Sequence, residues 1–190
     1  MIAVTTTDLN RAIQDVLENL TGISELYPSQ QKLLSTLLEN EHIFFTESTN
    51  SGKTLPAVIY PDILKSLSGF GYGFPSNPKL LFITALNSLQ LSLMNNVKYI
   101  GIKCDIVTSE NLISLINSAT TVFFISPEVL KLPVVVQTLL LHRTNFVLKV
   151  VDEAHLGNKS SSLHDAVICL ILTLDRVEFG ILLVMLIRKI

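Results

Sequence analysis

Apolar positions along the chain alternate between helical spacing and short unbroken runs. Residues 7–20 place Leu9, Ile13, Val16, Leu17 and Leu20 on one stripe, with Asp8 positioned to cap the helix and Thr21-Gly22 to end it. A second helix is predicted from Ser29 through Leu33, Leu34, Leu37 and Leu38 to Asn40. Residues 42–46 are aromatic and β-branched, which suits a strand, and a helix is predicted from Lys53 towards Ser66. The Gly- and Pro-rich stretch 68–78 reads as a surface loop. Strands are then predicted over 80–84, 105–107, 121–125 and 146–151. Between them come a helix from about Asn87, a helix over 110–116 and a helix opened by Pro127. Five strands alternating with helices predict an α/β fold, a parallel doubly wound sheet with helices on both faces.

Composition agrees with a buried sheet. The chain has 190 residues, of which 48% are hydrophobic and 16% charged. That is enough for one domain with a full core, and such a balance excludes a disordered chain. Strands buried on both faces read as continuous apolar runs, as these do. A net charge of −2 supplies no bulk attraction for nucleic acid. Cys104 and Cys169 lack metal-ligand spacing and are expected to be buried free thiols in a reducing, intracellular compartment. Asp8, Arg11, Asp15 and Glu18 exclude a secretory h-region at the start. Residues 166–187 are strongly apolar, but Asp175, Arg176 and Glu178 interrupt them, so buried elements are expected rather than a membrane span. His42, His142 and His164 have no metal-like arrangement.

Two clusters carry chemistry. A predicted strand, then Ser51-Gly52-Lys53-Thr54, then a predicted helix is the setting of a phosphate-binding loop. Gly52 lets the backbone approach phosphate oxygens, and the first helical amides point at them. Lys53 offers a positive charge to β- and γ-phosphates, and Thr54 a hydroxyl to Mg²⁺. Thr49 and Asn50 complete the loop. Glu47 stands where the pattern asks for a small residue, and its carboxylate opposes a triphosphate. The second cluster is Asp152-Glu153-Ala154-His155, an acidic pair at the end of a buried strand, where α/β sheets place ligands. Asp152 is placed to hold Mg²⁺ through water, and Glu153 to activate an attacking water. Ser118-Ala119-Thr120 precedes this cluster and reads as a helix-to-strand turn.

With Tyr27-Pro28-Ser29-Gln30 ahead of the loop, residues 27–155 resemble the superfamily 2 helicases, and among them the RecQ-like DEAH enzymes. The resemblance implies a RecA-like P-loop NTPase domain over 23–155, preceded by an N-terminal helical segment, 1–22. A divergent hydrophobic segment, 156–190, follows and is open to completing the sheet. It implies ATP and Mg²⁺ as cofactors, with Gln30 reading the adenine edge and Tyr27 stacking where RecQ-like proteins carry arginine. Residues 83–89, with Asn87 and Ser88, and residues 124–130, with Ser126, resemble the elements that contact the nucleic-acid backbone. His155 would couple the nucleotide site to the rest of the motor.

The resemblance further implies 3′-5′ DNA helicase activity in repair or recombination, DNA rather than RNA as partner, and a nuclear site in a eukaryote. After His155 it fades: the sequence runs Leu156-Gly-Asn-Lys-Ser, without the aromatic, tryptophan-containing loop of the family. A second RecA-like domain supplies arginines to the transition state in such motors. This polypeptide alone is therefore expected to bind Mg-ATP and nucleic acid weakly, turn over little and not unwind. The rival expectation is a non-catalytic helicase remnant that acts as an interaction module.

Overall fold

A computed structural model describes residues 3–39, 42–47, 52–84, 87–152 and 181–187. The chain forms α1 (Thr6–Leu17), α2 (Pro28–Glu39), β1 (His42–Glu47), α3 (Thr54–Gly69), β2 (Lys79–Ile83) and α4 (Asn87–Tyr99). These are followed by β3 (Cys104–Ile106), α5 (Leu112–Asn117), β4 (Val122–Ile125), α6 (Pro127–Leu130), α7 (Pro133–Leu141), β5 (Phe146–Val151) and β6 (Ile181–Ile187). The fold is α/β, with one parallel sheet in the order β1-β6-β5-β2-β4-β3. The sixth strand comes from the apolar C-terminal stretch. It inserts between β1 and β5, pairing Phe44 with Val184 and Val184 with Val151.

Alternate residues of the strands feed two separate cores. Leu80, Phe82, Phe124, Leu148 and Val150 pack with α1, α2, α3 and α4. Leu81, Ile83, Phe123, Ile125 and Val151 pack with α5, α6 and α7. Crossovers running towards the β3 edge, through α3 and α4, lie on the first face. Those returning, through α5 and through α6 with α7, lie on the second. A single right-handed crossover sense requires that division.

Helix α3 continues through Pro61 to Gly69 although proline removes an amide and costs about 3 kcal/mol inside a helix. Its Ala57, Val58, Ile59, Tyr60, Ile63, Leu64 and Leu67 are all buried. At about 1.5–3 kcal/mol for each large side chain, that burial outweighs the proline. The predicted helix from Pro127 is two helices, because Pro133 disfavours helical backbone at Leu132 and starts a new helix at its own first turn. The cap of α1 is Thr5 rather than Asp8. Thr5 Oγ1 accepts from the Asp8 N–H at 3.1 Å, and Asp8 Oδ2 accepts from Thr5 Oγ1 at 2.7 Å, a reciprocal cap. Tyr72, from the Gly- and Pro-rich stretch, donates to Asp8 Oδ2 at 2.7 Å and ties that loop to α1. These hydroxyls hold the Asp8 carboxyl below its ordinary range.

Two lysines break the apolar run of the strands. Lys79 and Lys149 are buried in β2 and β5. Lys79 Nζ donates to the carbonyls of Ser118 at 2.9 Å and Thr120 at 2.6 Å, which close the turn between α5 and β4. Burial, and then the charge of Lys65, lower its proton affinity to a pKa of about 8. Cys104 is a buried free thiol, and desolvation pushes it up to about 11, which makes it unreactive. Cys169 lies outside the described residues. No helix among the described residues is long and apolar enough to cross a membrane.

Candidate nucleotide site

All six strands point the same way, so their carboxyl ends share one edge. Ile83 of β2 aligns with Ile125 of β4 and Val151 of β5. The next residue of each strand, Thr84, Ser126 and Asp152, therefore forms a row along that edge. The Thr84 amide donates to Ile125 O at 3.3 Å and the Asp152 amide to Ile83 O at 3.1 Å, so the row extends the sheet's own ladder. Strand β1 runs beyond this level, to Glu47 opposite Ile187. One strand, β6, separates β1 from β5, which sets the two chemical clusters roughly 10 Å apart across the sheet.

Gly52 lies just ahead of α3 with φ at +73°, a backbone shape that side-chain-bearing residues adopt only with strain. Its surroundings make the same demand. A Cβ there would lie 2.5 Å from Gln30 Nε2. Gln30, 3% exposed, donates through Nε2 to Gly52 O at 3.0 Å and accepts through Oε1 from the Tyr27 N–H at 2.9 Å. One side-chain amide thus clamps the start of α2 to the start of α3. It retains a second N–H and further acceptor capacity, the groups a base edge would use. Tyr27 is 67% exposed, an open aromatic face beside that amide.

Lys53 is the N-cap residue of α3 and makes no side-chain cap, while Thr54 begins the helix, so both side chains are partly exposed at its positive end. The Leu55 amide turns back to Gly52 O at 3.2 Å. Thr49, Asn50 and Ser51 lie outside the described residues, as do Glu153 and His155. Asp152 is half-buried at the end of β5. Asn87 and Ser88 open α4 at the same edge. Ser126 is 7% exposed and caps α6, its hydroxyl accepting from the Val129 amide at 3.4 Å. A phosphate contact from Ser126 would have to use the remaining O–H donor.

Adjacent strands β2 and β4 send their following helices, α4 and α6, to opposite faces. That divergence opens a crevice beyond Thr84 and Ser126, the position where open α/β sheets receive ligands. Thr84 and Gln90 belong to this rim and carry no sequence signal of their own. Gln90 is buried and donates to Thr84 O at 3.4 Å, bracing the turn from β2 into α4. Among the described residues, no three His, Cys, Asp or Glu side chains group to hold a metal ion. An Mg²⁺ between Thr54 and Asp152 would have one hydroxyl and one carboxylate from these two residues, with water and phosphate completing the shell. A scan of protein-family models matches no family, and a search of curated proteins matches none of them.

Proposed function

We propose that the chain is the ATP-binding domain of a RecQ-like DEAH helicase, RecA-like and doubly wound, that binds Mg-ATP at the carboxyl edge of its sheet. The observation that carries this reading is the Gln30–Gly52 clamp. A positive-φ glycine, held by an amide from the element that would read the base, precedes a 16-residue helix and shares an edge with Asp152. Backbone amides at the start of α3 would meet the phosphates, Lys53 would neutralise them, and Thr54 with Asp152 would hold Mg²⁺. Glu153 and His155 take the general-base and coupling roles by resemblance. Nucleic acid, DNA before RNA, would run along the β2–β4 crevice through Asn87, Ser88 and Ser126, and a nuclear site in a eukaryote follows from the same resemblance.

Equilibrium binding of a fluorescent ATP analogue with Mg²⁺ tests the reading. Wild type binds, and Lys53→Ala weakens binding at least about 100-fold, in line with the loss of a charge-assisted phosphate contact. Absent binding, or binding indifferent to Lys53→Ala, favours the second reading, a non-catalytic interaction module. The burial of Ser126 in its cap is the observation on that side.

A further inference from the structure

Among the described residues the buried polar side chains are Gln30, Lys79, Thr84, Gln90, Ser126 and Lys149, and their hydrogen bonds differ in quality. Gln30 commits both ends of its carboxamide, at 3.0 and 2.9 Å, and Lys79 holds two carbonyls. Gln90 is 2% exposed, yet its carboxamide makes one contact, Nε2 to Thr84 O at 3.4 Å, longer than a well-formed N–H···O bond. No described residue donates to its Oε1, and its second side-chain N–H has no acceptor among them. A buried carboxamide oxygen without a donor is uncommon, because its desolvation goes uncompensated. Such groups concentrate at functional sites, where something other than the chain itself completes the bonding.

The place of Gln90 in the fold gives the unpaired groups a direction. It stands one turn into α4, and helical side chains lean towards the helix start, which brings the carboxamide back to the carbonyl that follows β2. Thr84 lies opposite Ser126 across the β2–β4 pair, since Ile83 aligns with Ile125. Ser126 is buried too; its hydroxyl accepts from the Val129 amide at 3.4 Å, and its O–H has no acceptor among the described residues. Within one strand spacing, about 4.8 Å, the crevice thus has an uncommitted acceptor and N–H on one side and an uncommitted O–H on the other. The start of α4, a 13-residue helix, adds its first amides at the same edge.

We propose that Gln90 is a positioning residue for the phosphodiester backbone of a single strand in this crevice, an inference that rests on the nucleic-acid reading given above. A phosphate oxygen only accepts, so Oε1 cannot meet it directly. A water can join them, donating one hydrogen to Oε1 and the other to the phosphate, while the α4 amides and the Ser126 O–H donate to the same backbone. Held by Thr84 O, the carboxamide fixes that water at the end of β2 and so sets where the phosphate settles against α4. The group therefore stabilises the complex rather than the fold.

Gln90→Met separates those two roles, because it keeps the length of the side chain and removes the carboxamide. Anisotropy of a fluorescently labelled single-stranded oligodeoxynucleotide at low salt reads binding to the full chain, and thermal unfolding of the same protein reads its stability. Gln90→Met is expected to weaken binding at least about fivefold, the loss of one bridged hydrogen bond, with an unfolding midpoint equal to or above that of wild type. With methylphosphonate linkages in place of phosphates, the difference between the two proteins shrinks. Equal binding by the two proteins, a lower midpoint in Gln90→Met, or an undiminished difference on the methylphosphonate strand would each overturn the proposal. Wild type that binds no oligonucleotide overturns the nucleic-acid reading together with it. Wild type that binds while Gln90→Met binds equally overturns the role of Gln90 alone.

Discussion

The two edges of the sheet are built from different materials. At the carboxyl edge, strand ends, helix starts and one strained glycine present backbone groups, with the buried Gln30, Gln90 and Ser126 side chains locking them. At the amino edge, side-chain charges meet: Lys79 satisfies two turn carbonyls, while Lys65, Lys103 and Asp62 surround open space. The difference follows from direction. Parallel strands followed by returning helices bring helix amino ends to one edge and helix carboxyl ends to the other, so one edge attracts anions by backbone alone. At the other, the buried Lys79 satisfies two turn carbonyls.

The comparison breaks most completely if the shared sheet is damaged. Phe82 and Phe124 pack at 5.2 Å between ring centres in the first core, and both are fully buried. Phe124→Ala should cost about 3–5 kcal/mol in chemical denaturation and weaken both edges together. A loss confined to one edge would show that the edges are stabilised independently.

Lys79→Met keeps the stem and removes the donor, stranding the Ser118 and Thr120 carbonyls at a cost of about 1–3 kcal/mol. Its pH signature is specific. Lys79 releases its proton near pH 8 in the folded chain and only near 10.5 when unfolded. Between these values the unfolded state holds more protons, so wild-type stability gains a rising contribution from Lys79. Denaturation midpoints measured across that window should lose this rise in Lys79→Met. An unchanged profile would show that Lys79 is not the titrating group.

At the carboxyl edge, Gly52→Ala meets both a positive φ and the Gln30 amide, and should cost about 1–2 kcal/mol. Gln30→Ala should cost about 1 kcal/mol, more than Gln31→Ala on the exposed side of α2, because it removes a buried amide that both donates to Gly52 O and accepts from the Tyr27 N–H. Lys53→Ala comes last on this scale. It makes no capping bond, so thermal stability should stay within about 0.5 kcal/mol of wild type while analogue binding falls. A large stability loss would reassign Lys53 from ligand contact to structure.

Much of this architecture is legible along the chain. Period changes mark helices and strands, and Ser51-Gly52-Lys53-Thr54 sits between β1 and α3 because strand, glycine turn and helix are local events. Asp152 follows a buried strand for the same reason. Other features depend on partners far away in sequence. Residues 181–187 form a strand between β1 and β5, yet an apolar run states only that it will be buried, not beside which neighbours. Lys79 looks like a surface residue at the end of a loop until Ser118 and Thr120 are brought to its ammonium. Thr5 takes the cap of α1 from Asp8 because Asp8 is more useful one turn in, where it accepts from both Thr5 and Tyr72.

Sequence by itself determined the α/β class and that Ser126 and Asp152 end buried strands, since both follow from spacing along one strand or one turn. Tertiary structure alone decided that Gln30 would clamp Gly52, that β6 would lie between β1 and β5, and that the Lys79 ammonium would meet the Ser118 and Thr120 carbonyls. The physical reason is the same in each case. A residue's intrinsic preferences act over a few neighbours, whereas burial and electrostatic fields are set by whatever the folded chain brings within a few ångströms.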